Sequence, residues 1–191
     1  MKNNYQKIFK LIILFLFFLV NNSYSQEYNY ARLTVIYGAD IPFNFRSINN
    51  FKNGITITNG TVLGITLADS NQAGVSLEGF DLRFRSFNSQ ASIEGSVYDI
   101  PLSTIELEAS NNIGLGAATY TGLKELSTSW TNLVEYTQNP INPPAFSDLI
   151  WSNHQVNISY SCGVTNTLLG EESDYYSVEI EIELIPTGPG F

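Results

Sequence analysis

The chain has 191 residues, of which 43% are hydrophobic, 13% are aromatic and only 14% are charged, and its formal net charge is −9. This length fits one domain or at most two, the hydrophobic share is too high for a disordered acidic tail, and the acidic balance disfavours nucleic-acid binding, which needs a Lys and Arg surface. The single Cys excludes an intrachain disulfide and a thiolate zinc cluster, and the single His excludes a metal site built on several histidines.

The start of the chain has the pattern of a secretory signal peptide, which we assign to residues 1–25. Three lysines precede an unbroken apolar run over residues 11–20, and small residues stand just before the expected cleavage after Ser25. The run is too short to cross a bilayer, which needs about 20 apolar residues. We therefore expect an exported protein, periplasmic, associated with the outer membrane or at the cell surface. The mature part, residues 26–191, is expected to form one domain without a membrane span. The alternative is that residues 1–25 are not cleaved and anchor the protein in the membrane.

Short strands are predicted throughout the first half of the mature chain, because apolar and polar residues alternate with a period of two. Residues 31–37 form the first of them. Residues 54–58 and 61–68 follow as two β-rich runs, and Asn59-Gly60 between them is typical of a two-residue hairpin turn.

Two more segments, residues 80–85 and 104–109, repeat the strand pattern. Residues 119–136 are less regular, and their apolar positions predict a short helix followed by a strand: Leu123, Leu126, Trp130 and Leu133. Residues 139–148 contain three prolines and predict an exposed, stiff loop.

The clearest alternation lies near the end of the chain, after a further strand at residues 155–160. In residues 176–185, every second residue from Tyr176 onwards is apolar, which places these side chains on the core face of a strand. Pro186 is expected to end the pairing because it has no N–H to donate. The opposite face of this strand carries an acidic ladder: Glu179, Glu181 and Glu183.

Three roles are open for this acidic ladder. If residues 80–85 form the neighbouring strand, the glutamates pair with Arg83 and Arg85 across the sheet. If the last strand lies at an edge, unpaired glutamates discourage other chains from adding to it. A long terminal strand is also able to be donated to another subunit or to accept a strand from one.

Many short strands with almost no helical periodicity predict an all-β fold. An antiparallel β-sandwich of immunoglobulin-like or jelly-roll type is preferred over a barrel, because a mature chain of this size fits two packed sheets.

No combination of residues selects a catalytic site. His154 is expected to be a polar residue at a strand edge, and Cys162 falls on the core face of its strand as a buried thiol. Carboxylates of the kind that hydrolases use are dispersed along the chain, so we expect no enzyme activity, no metal site and no cofactor. The candidate carboxylates are Asp81, Glu94, Asp99 and Asp148.

Aromatic residues are more abundant than a core of this size needs, with 12 Phe, 11 Tyr and 2 Trp. Trp130, Phe146 and Trp151 flank or lie within the proline-rich loop. Exposed together, they would form a platform for sugar rings or a protein partner; alternatively, the tryptophans cap the end of the sandwich.

Part of the chain resembles a known class of surface proteins. Residues 80–84, Phe-Asp-Leu-Arg-Phe, followed by residues 100–103, Ile-Pro-Leu-Ser, and Ile105, are similar to secreted bacterial surface sandwiches of the WxL type. The alternation in residues 176–184 resembles the terminal strand of those domains and of fimbrial and coat-protein subunits. Phe80 replaces the hallmark Trp, and the disulfide common in pilins is absent. The resemblance implies a non-catalytic envelope sandwich used in adhesion or assembly, and it transfers no functional residue.

The expected function is therefore that of an exported, non-enzymatic cell-envelope protein that acts through protein–protein contacts. It would be a structural or adhesive subunit, or an accessory component of an outer-membrane or secretion assembly, with an envelope or surface protein as partner. The first alternative is a carbohydrate-binding module that uses Trp130 and Trp151 to bind a glycan. The second alternative is a hydrolase that uses paired carboxylates.

Overall fold

The computed structural model describes residues 30–68, 77–138, 147–172 and 174–188. The predicted signal peptide lies outside the described residues, as do Phe146 and most of the proline-rich stretch. Over the ranges that are described, the structure contains no helix with the length and apolarity needed to cross a bilayer.

The described residues are mostly in strands. One short helix, α1 (Ile48–Asn53), begins after Ser47, whose hydroxyl accepts from the N–H of Asn50, and ends at Gly54. The strands are β1 (Tyr30–Tyr37), β2 (Ile55–Ala68), β3 (Gly79–Ser86), β4 (Ser92–Ile93), β5 (Ile100–Pro101), β6 (Ile105–Ile113), β7 (Thr119–Tyr120), β8 (Lys124–Glu125), β9 (Thr131–Thr137), β10 (Gln155–Cys162) and β11 (Ile180–Thr187).

These strands form two main antiparallel sheets that pack against each other. The first sheet has the order β1-β2-β10-β6-β8, and the second has the order β11-β3-β9-β7. A small hairpin of β4 and β5 stands beside them. The predicted all-β, antiparallel sandwich is confirmed.

The core lies between the inner faces of the two sheets. Phe80, Leu82 and Phe84 of β3 have no exposed surface, and Leu63 and Ile65 of β2 face them from the first sheet with at most 1% exposure. Burial of a side chain of this size stabilises the fold by about 1.5–3 kcal/mol relative to the exposed state. The period-two pattern therefore predicted the core face of β3 correctly.

The predicted hairpin at Asn59-Gly60 is wrong, because β2 runs through this point as one strand. β10 pairs with both halves of it, with Tyr160 opposite Ile57 and Ile158 opposite Thr61. The register shifts between these pairs, and Asn59 takes a positive φ of 52° at the irregularity. Asn adopts a positive φ more readily than most residues. The Asn59-Gly60 pair therefore forms a β-bulge here and not a hairpin turn.

The helix predicted within residues 119–136 is also wrong, whereas the strand predicted after it is present as β9. The region in front of β9 holds the two-residue strands β7 and β8. Leu126 is buried at 2% exposure but Leu123 is 45% exposed, so the apolar positions do not share one helix face. Pairing of β8 with β6 and of β7 with β9 provides the tertiary contacts that override the local spacing.

Pro186 does not end the last strand as predicted. It lies opposite Phe80 in the register of β11 and β3, and the strand continues to Thr187. β11 is an edge strand, and proline is tolerated at a sheet edge because its missing N–H is not needed by a second neighbour.

Candidate functional site

The outer face of the second sheet carries a ladder of paired opposite charges. The register sets Glu181 opposite Arg85 and Glu183 opposite Arg83. Guanidinium nitrogens lie 2.8 Å from Glu183 Oε2 and 2.9 Å from Glu181 Oε2. Because all four side chains are partly exposed, each pair stabilises the sheet by only about 0.2–1 kcal/mol. Glu181 and Glu183 thus adopt the cross-strand pairing considered from the sequence.

Glu179 differs from the other two glutamates of the acidic ladder. It precedes β11, and its backbone carbonyl accepts a hydrogen bond from the N–H of Phe87 at 2.9 Å. It also lines the edge of a cleft between the two sheets. β11 itself lies at the edge of the second sheet, where β1 of the first sheet approaches it.

Trp130 packs onto the same charged ladder. The guanidinium carbons of Arg83 and Arg85 lie 4.5 Å and 4.2 Å from the centre of its ring. Each cation–π contact at a partly exposed site contributes about 0.5–1 kcal/mol. Trp130 therefore packs against the guanidinium groups of two arginines that are already paired with glutamates, which gives it a structural role on the second sheet.

Trp151 lies on the outer face of the first sheet. Its Cβ would be 2.9 Å from a Cβ placed on Gly64, so only glycine at that position of β2 lets the tryptophan approach the strand so closely. The side chain of Ile36 lies beside the same point, and Trp151 remains 46% exposed. The two tryptophans therefore pack on different sheets, which separates the two members of the platform considered from the sequence. Phe146 lies outside the described residues.

His154 closes a turn in front of β10. Its Nδ1 lies 3.0 Å from the backbone nitrogen of Ile150, and its backbone N–H donates to the carbonyl of Ile150 at 3.0 Å. Its own carbonyl accepts from the N–H of Ile65 at 2.9 Å. These contacts bind the turn to β2, which agrees with the structural role predicted for this residue.

Cys162 is a free, buried thiol at 5% exposure, as its place on the core face of β10 predicted. Burial raises the pKa of Cys162 to about 12. Because the thiolate is the reactive form, this thiol is unsuited to nucleophilic chemistry at neutral pH.

Two of the carboxylates considered for a hydrolase, Asp81 and Asp99, interact with residues that the structure identifies. Asp81 of β3 stands directly opposite Glu135 of β9. Partial burial and the nearby charge of Glu135 raise the pKa of Asp81, while Arg83 opposes them. Asp99 accepts from the hydroxyl of Ser92 at 2.9 Å and from the N–H of Gly95, which ties together the β4–β5 hairpin.

Asp174 fastens the segment in front of β11 to the β4–β5 hairpin. It accepts hydrogen bonds from the hydroxyl of Ser96 and from the N–H groups of Val97 at 3.0 Å and Tyr175 at 2.7 Å. These bonds, that of Ser96 first, lower the pKa of Asp174 to about 2. Hydrogen bonds to the charged form favour ionisation, so this carboxylate is an anchor and not a proton donor at neutral pH.

Glu106 is a buried carboxylate that the sequence did not single out, with an exposure of only 4%. One of its oxygens accepts from the hydroxyl of Thr165 at 2.7 Å, and the other has no hydrogen-bond partner among the described residues. Its direct neighbour across the sheet is Glu125 of β8.

An open cleft of about 1010 Å³ lies between the sheets. It lies where β1 and β11, the edge strands of the two sheets, approach each other. Its walls are apolar, and they include Leu33 and Val35 of β1, and Ile180 and Ile182 of β11.

Residues 39–46 run along this cleft as an extended segment of the chain itself. Ile41, Phe43 and Phe45 pack against the core, and the Phe45 ring lies 5.2 Å from that of Phe51. The segment leaves β1 at Gly38, where φ is 71° and an added Cβ would be 1.8 Å from the carbonyl oxygen of Gly60. A larger residue at Gly38 would therefore not permit this change of direction.

The rim of the cleft is strongly acidic. Among the residues that line it, Arg46 is the one with a basic side chain, whereas five carry carboxylates: Asp40, Glu171, Glu172, Asp174 and Glu179. The cleft therefore combines apolar walls with a negative rim.

The cleft was not predicted from the sequence, although a signal for one of its walls is present. Ile41, Phe43 and Phe45 alternate with Pro42 and Asn44, which is a period-two pattern. The sequence contains nothing that shows which two edge strands face each other, so the cleft itself needed the tertiary structure.

The fold and its cleft define an all-β protein of two packed antiparallel sheets with an apolar opening between two edge strands. Within the part of the chain that the structure describes, no group of three or more His, Cys, Asp or Glu side chains is placed to hold a metal ion. No protein-family model matches the chain, and a search of curated proteins finds no match either.

Proposed function

We propose that this protein is an exported, non-enzymatic component of a Gram-negative cell envelope that acts through contacts with other proteins. It would serve as a structural or adhesive subunit, or as an accessory component of an outer-membrane or secretion assembly. The pattern of residues 1–25 supports export. The observation that carries the proposal is the position of two long edge strands on either side of an open apolar cleft.

Edge strands favour this reading because they present unpaired backbone N–H and C=O groups. β1 and β11 each have 8 residues, whereas β8 and β7, at the other edges of the two sheets, have 2 each. A two-residue edge offers too few groups for another strand to add, and an eight-residue edge offers a full ladder. The surface for protein contact is thus expected at the β1–β11 side.

A test is to place a photo-crosslinking amino acid at Val35, which is 55% exposed on β1 beside the cleft, and to irradiate intact cells. We expect a discrete higher-mass product that contains a second envelope protein. The matched control is Leu123, 45% exposed beside the short strand β8, from which we expect no such product. Equal products from both positions, or none from Val35 in an exported protein, would contradict the proposal.

A carbohydrate-binding module is the second candidate, and the exposure of Trp151 favours it. The ring lies on the outer face of the first sheet and is 46% exposed, so one of its faces is available to a sugar ring. Glycan-array binding that disappears in Trp151→Ala but persists in Trp130→Ala would support this function over the first.

A further inference from the structure

We propose that the neighbouring carboxylates Glu106 and Glu125, on the outer face of the first sheet, bind a calcium ion. The ion would fasten the loop over residues 163–168 and the short strand β8 onto β6. Neither carboxylate lines the cleft, so this inference goes beyond the proposed function and does not depend on it.

The strand register places the two carboxylates side by side. Glu106 of β6 stands directly opposite Glu125 of β8 in an antiparallel pair. Side chains in this relation leave the sheet on the same face, and their Cβ atoms are about 4.5–5.5 Å apart. Both side chains therefore reach the same small region, where one cation is able to contact a carboxylate from each strand.

Glu106 provides the observation that points to a ligand. The residue is only 4% exposed, and its Oε2 is buried without a hydrogen-bond partner among the described residues. Within the same ranges, neither Glu106 nor Glu125 forms an ion pair with a lysine or arginine. Buried charges in proteins are normally paired or coordinate a metal, because an uncompensated charge away from water is costly. A cation at Oε2 would supply the missing partner and offset the repulsion from Glu125.

The loop after β10 closes over this pair of carboxylates. The hydroxyl of Thr165 donates to Glu106 Oε1 at 2.7 Å. The next residue, Asn166, donates from Nδ2 to Glu125 Oε1 at 3.2 Å and to the carbonyl of Ser103 at 2.8 Å. Two successive loop residues thus hold one oxygen of each carboxylate, and Oε2 of Glu106 remains for an ion.

The donor set favours calcium over other metals. The groups around the pair are carboxylate, hydroxyl and carbonyl oxygens, whereas zinc prefers nitrogen and sulfur ligands. Calcium takes about six to eight oxygen ligands in flexible geometry, and Glu125 is exposed, so water has access to complete the set. With only two carboxylates the site is weak, and we expect a Kd in the range of about 10⁻⁴–10⁻³ M that is typical of extracellular calcium modules.

The test uses calcium itself as the probe. Thermal unfolding of the purified mature protein is measured in EDTA and at increasing calcium concentrations, with sodium chloride added to equal ionic strength. We expect a saturable rise of the Tm, by about 2–4 °C when calcium is about tenfold above the Kd.

Three variants locate the ion. Glu106→Gln keeps an oxygen that accepts from Thr165 but removes the charge, so it should lose the calcium-dependent rise while it stays folded in EDTA. Glu125→Gln, at an exposed position, should also lose it and provides the same comparison if Glu106→Gln does not fold. The matched control Glu108→Gln removes one charge from the same face of β6 two residues further on, and it should keep the full rise.

Each contrary result overturns the inference in its own way. A Tm of the wild type that does not respond to calcium would exclude the site. A rise that Glu106→Gln and Glu125→Gln retain would place the ion elsewhere, and an equal loss in Glu108→Gln would attribute the rise to net charge. The crosslinks from Val35 that test the proposed function involve none of these carboxylates, so either proposal is able to fail while the other stands.

Discussion

Glu106 combines three features that rarely occur together: a carboxylate, an exposure of 4%, and an oxygen without a hydrogen-bond partner among the described residues. Its neighbour across the sheet is another carboxylate, Glu125. Like charges directly opposite each other on a sheet are destabilising, and burial of an unpaired polar atom adds to the cost.

We therefore predict that Glu106→Gln stabilises the protein by about 1 kcal/mol. The amide oxygen still accepts from Thr165, the buried negative charge is removed, and with it the repulsion with Glu125. Urea unfolding of the mature protein measures the change. The control Glu108→Gln, at an exposed position of the same strand, should change the free energy of unfolding by less than about 0.5 kcal/mol. A destabilised Glu106→Gln would show instead that the negative charge itself stabilises this site.

The alternation in β6 predicts only one part of this environment. It places Glu106 on the outward face, as the structure does, but it gives no indication that Thr165, distant in sequence, covers that face. Burial by a loop that is distant in sequence depends on the tertiary fold. The local alternation of apolar and polar residues carries no information about it.

Strict alternation predicted that the strands exist, although the strand predicted from Tyr176 begins only at Ile180. Elements with mixed signals were not predictable. Residues 80–85 and 155–160 lie in β3 and β10 as expected, because their inward side chains are all apolar. At Asn59-Gly60, local turn chemistry competed with pairing to β10, and pairing prevailed because it extends on both sides of the bulge. The cleft forms where β1 and β11 approach each other. Because these strands are far apart in the chain, no local sequence pattern predicts the cleft.

The segment that precedes β11 is expected to loosen in acid. The folded pKa of Asp174, about 2, lies below its ordinary value of 3.8, so the stability it contributes is present above pH 3.8 and is lost as the pH falls through 2. We predict that Asp174→Ala lowers the melting temperature near pH 6 and that its difference from wild type shrinks as the pH falls from 3.8 to 2. Thermal unfolding across this pH range provides the measurement.

The matched control for this element is Asp174→Asn. The amide oxygen still accepts from the hydroxyl of Ser96 and the N–H of Tyr175, whereas the amide nitrogen replaces the oxygen that accepts from Val97. Because the amide does not titrate, the stability of this variant should not show the acid-dependent loss seen in wild type. A constant difference between Asp174→Ala and wild type at every pH would contradict the prediction, because it would mean that the contacts stabilise the protein independently of the carboxylate charge.

At the scale of the whole molecule, we expect the acidic ladder to limit association of the sandwich through the β11 edge. Glu181 and Glu183 keep the outer surface charged while they neutralise Arg85 and Arg83. Replacing Glu179, Glu181 and Glu183 together by Thr leaves a β-prone edge with no acidic gatekeeper. We predict that this variant forms larger assemblies than wild type, measured by size-exclusion chromatography with light scattering.

The control for this prediction removes the same charge elsewhere, as Glu94→Thr, Glu108→Thr and Glu135→Thr in one chain. Glu108 and Glu135 lie on β6 and β9, which both have neighbours on either side in their sheets, so no long edge is uncovered. If assembly followed net charge alone, both triple variants would enlarge equally, because each loses three negative charges. Enlargement of the β11 variant alone attributes the effect to the edge, and an unchanged size of that variant removes the gatekeeper role of the acidic ladder.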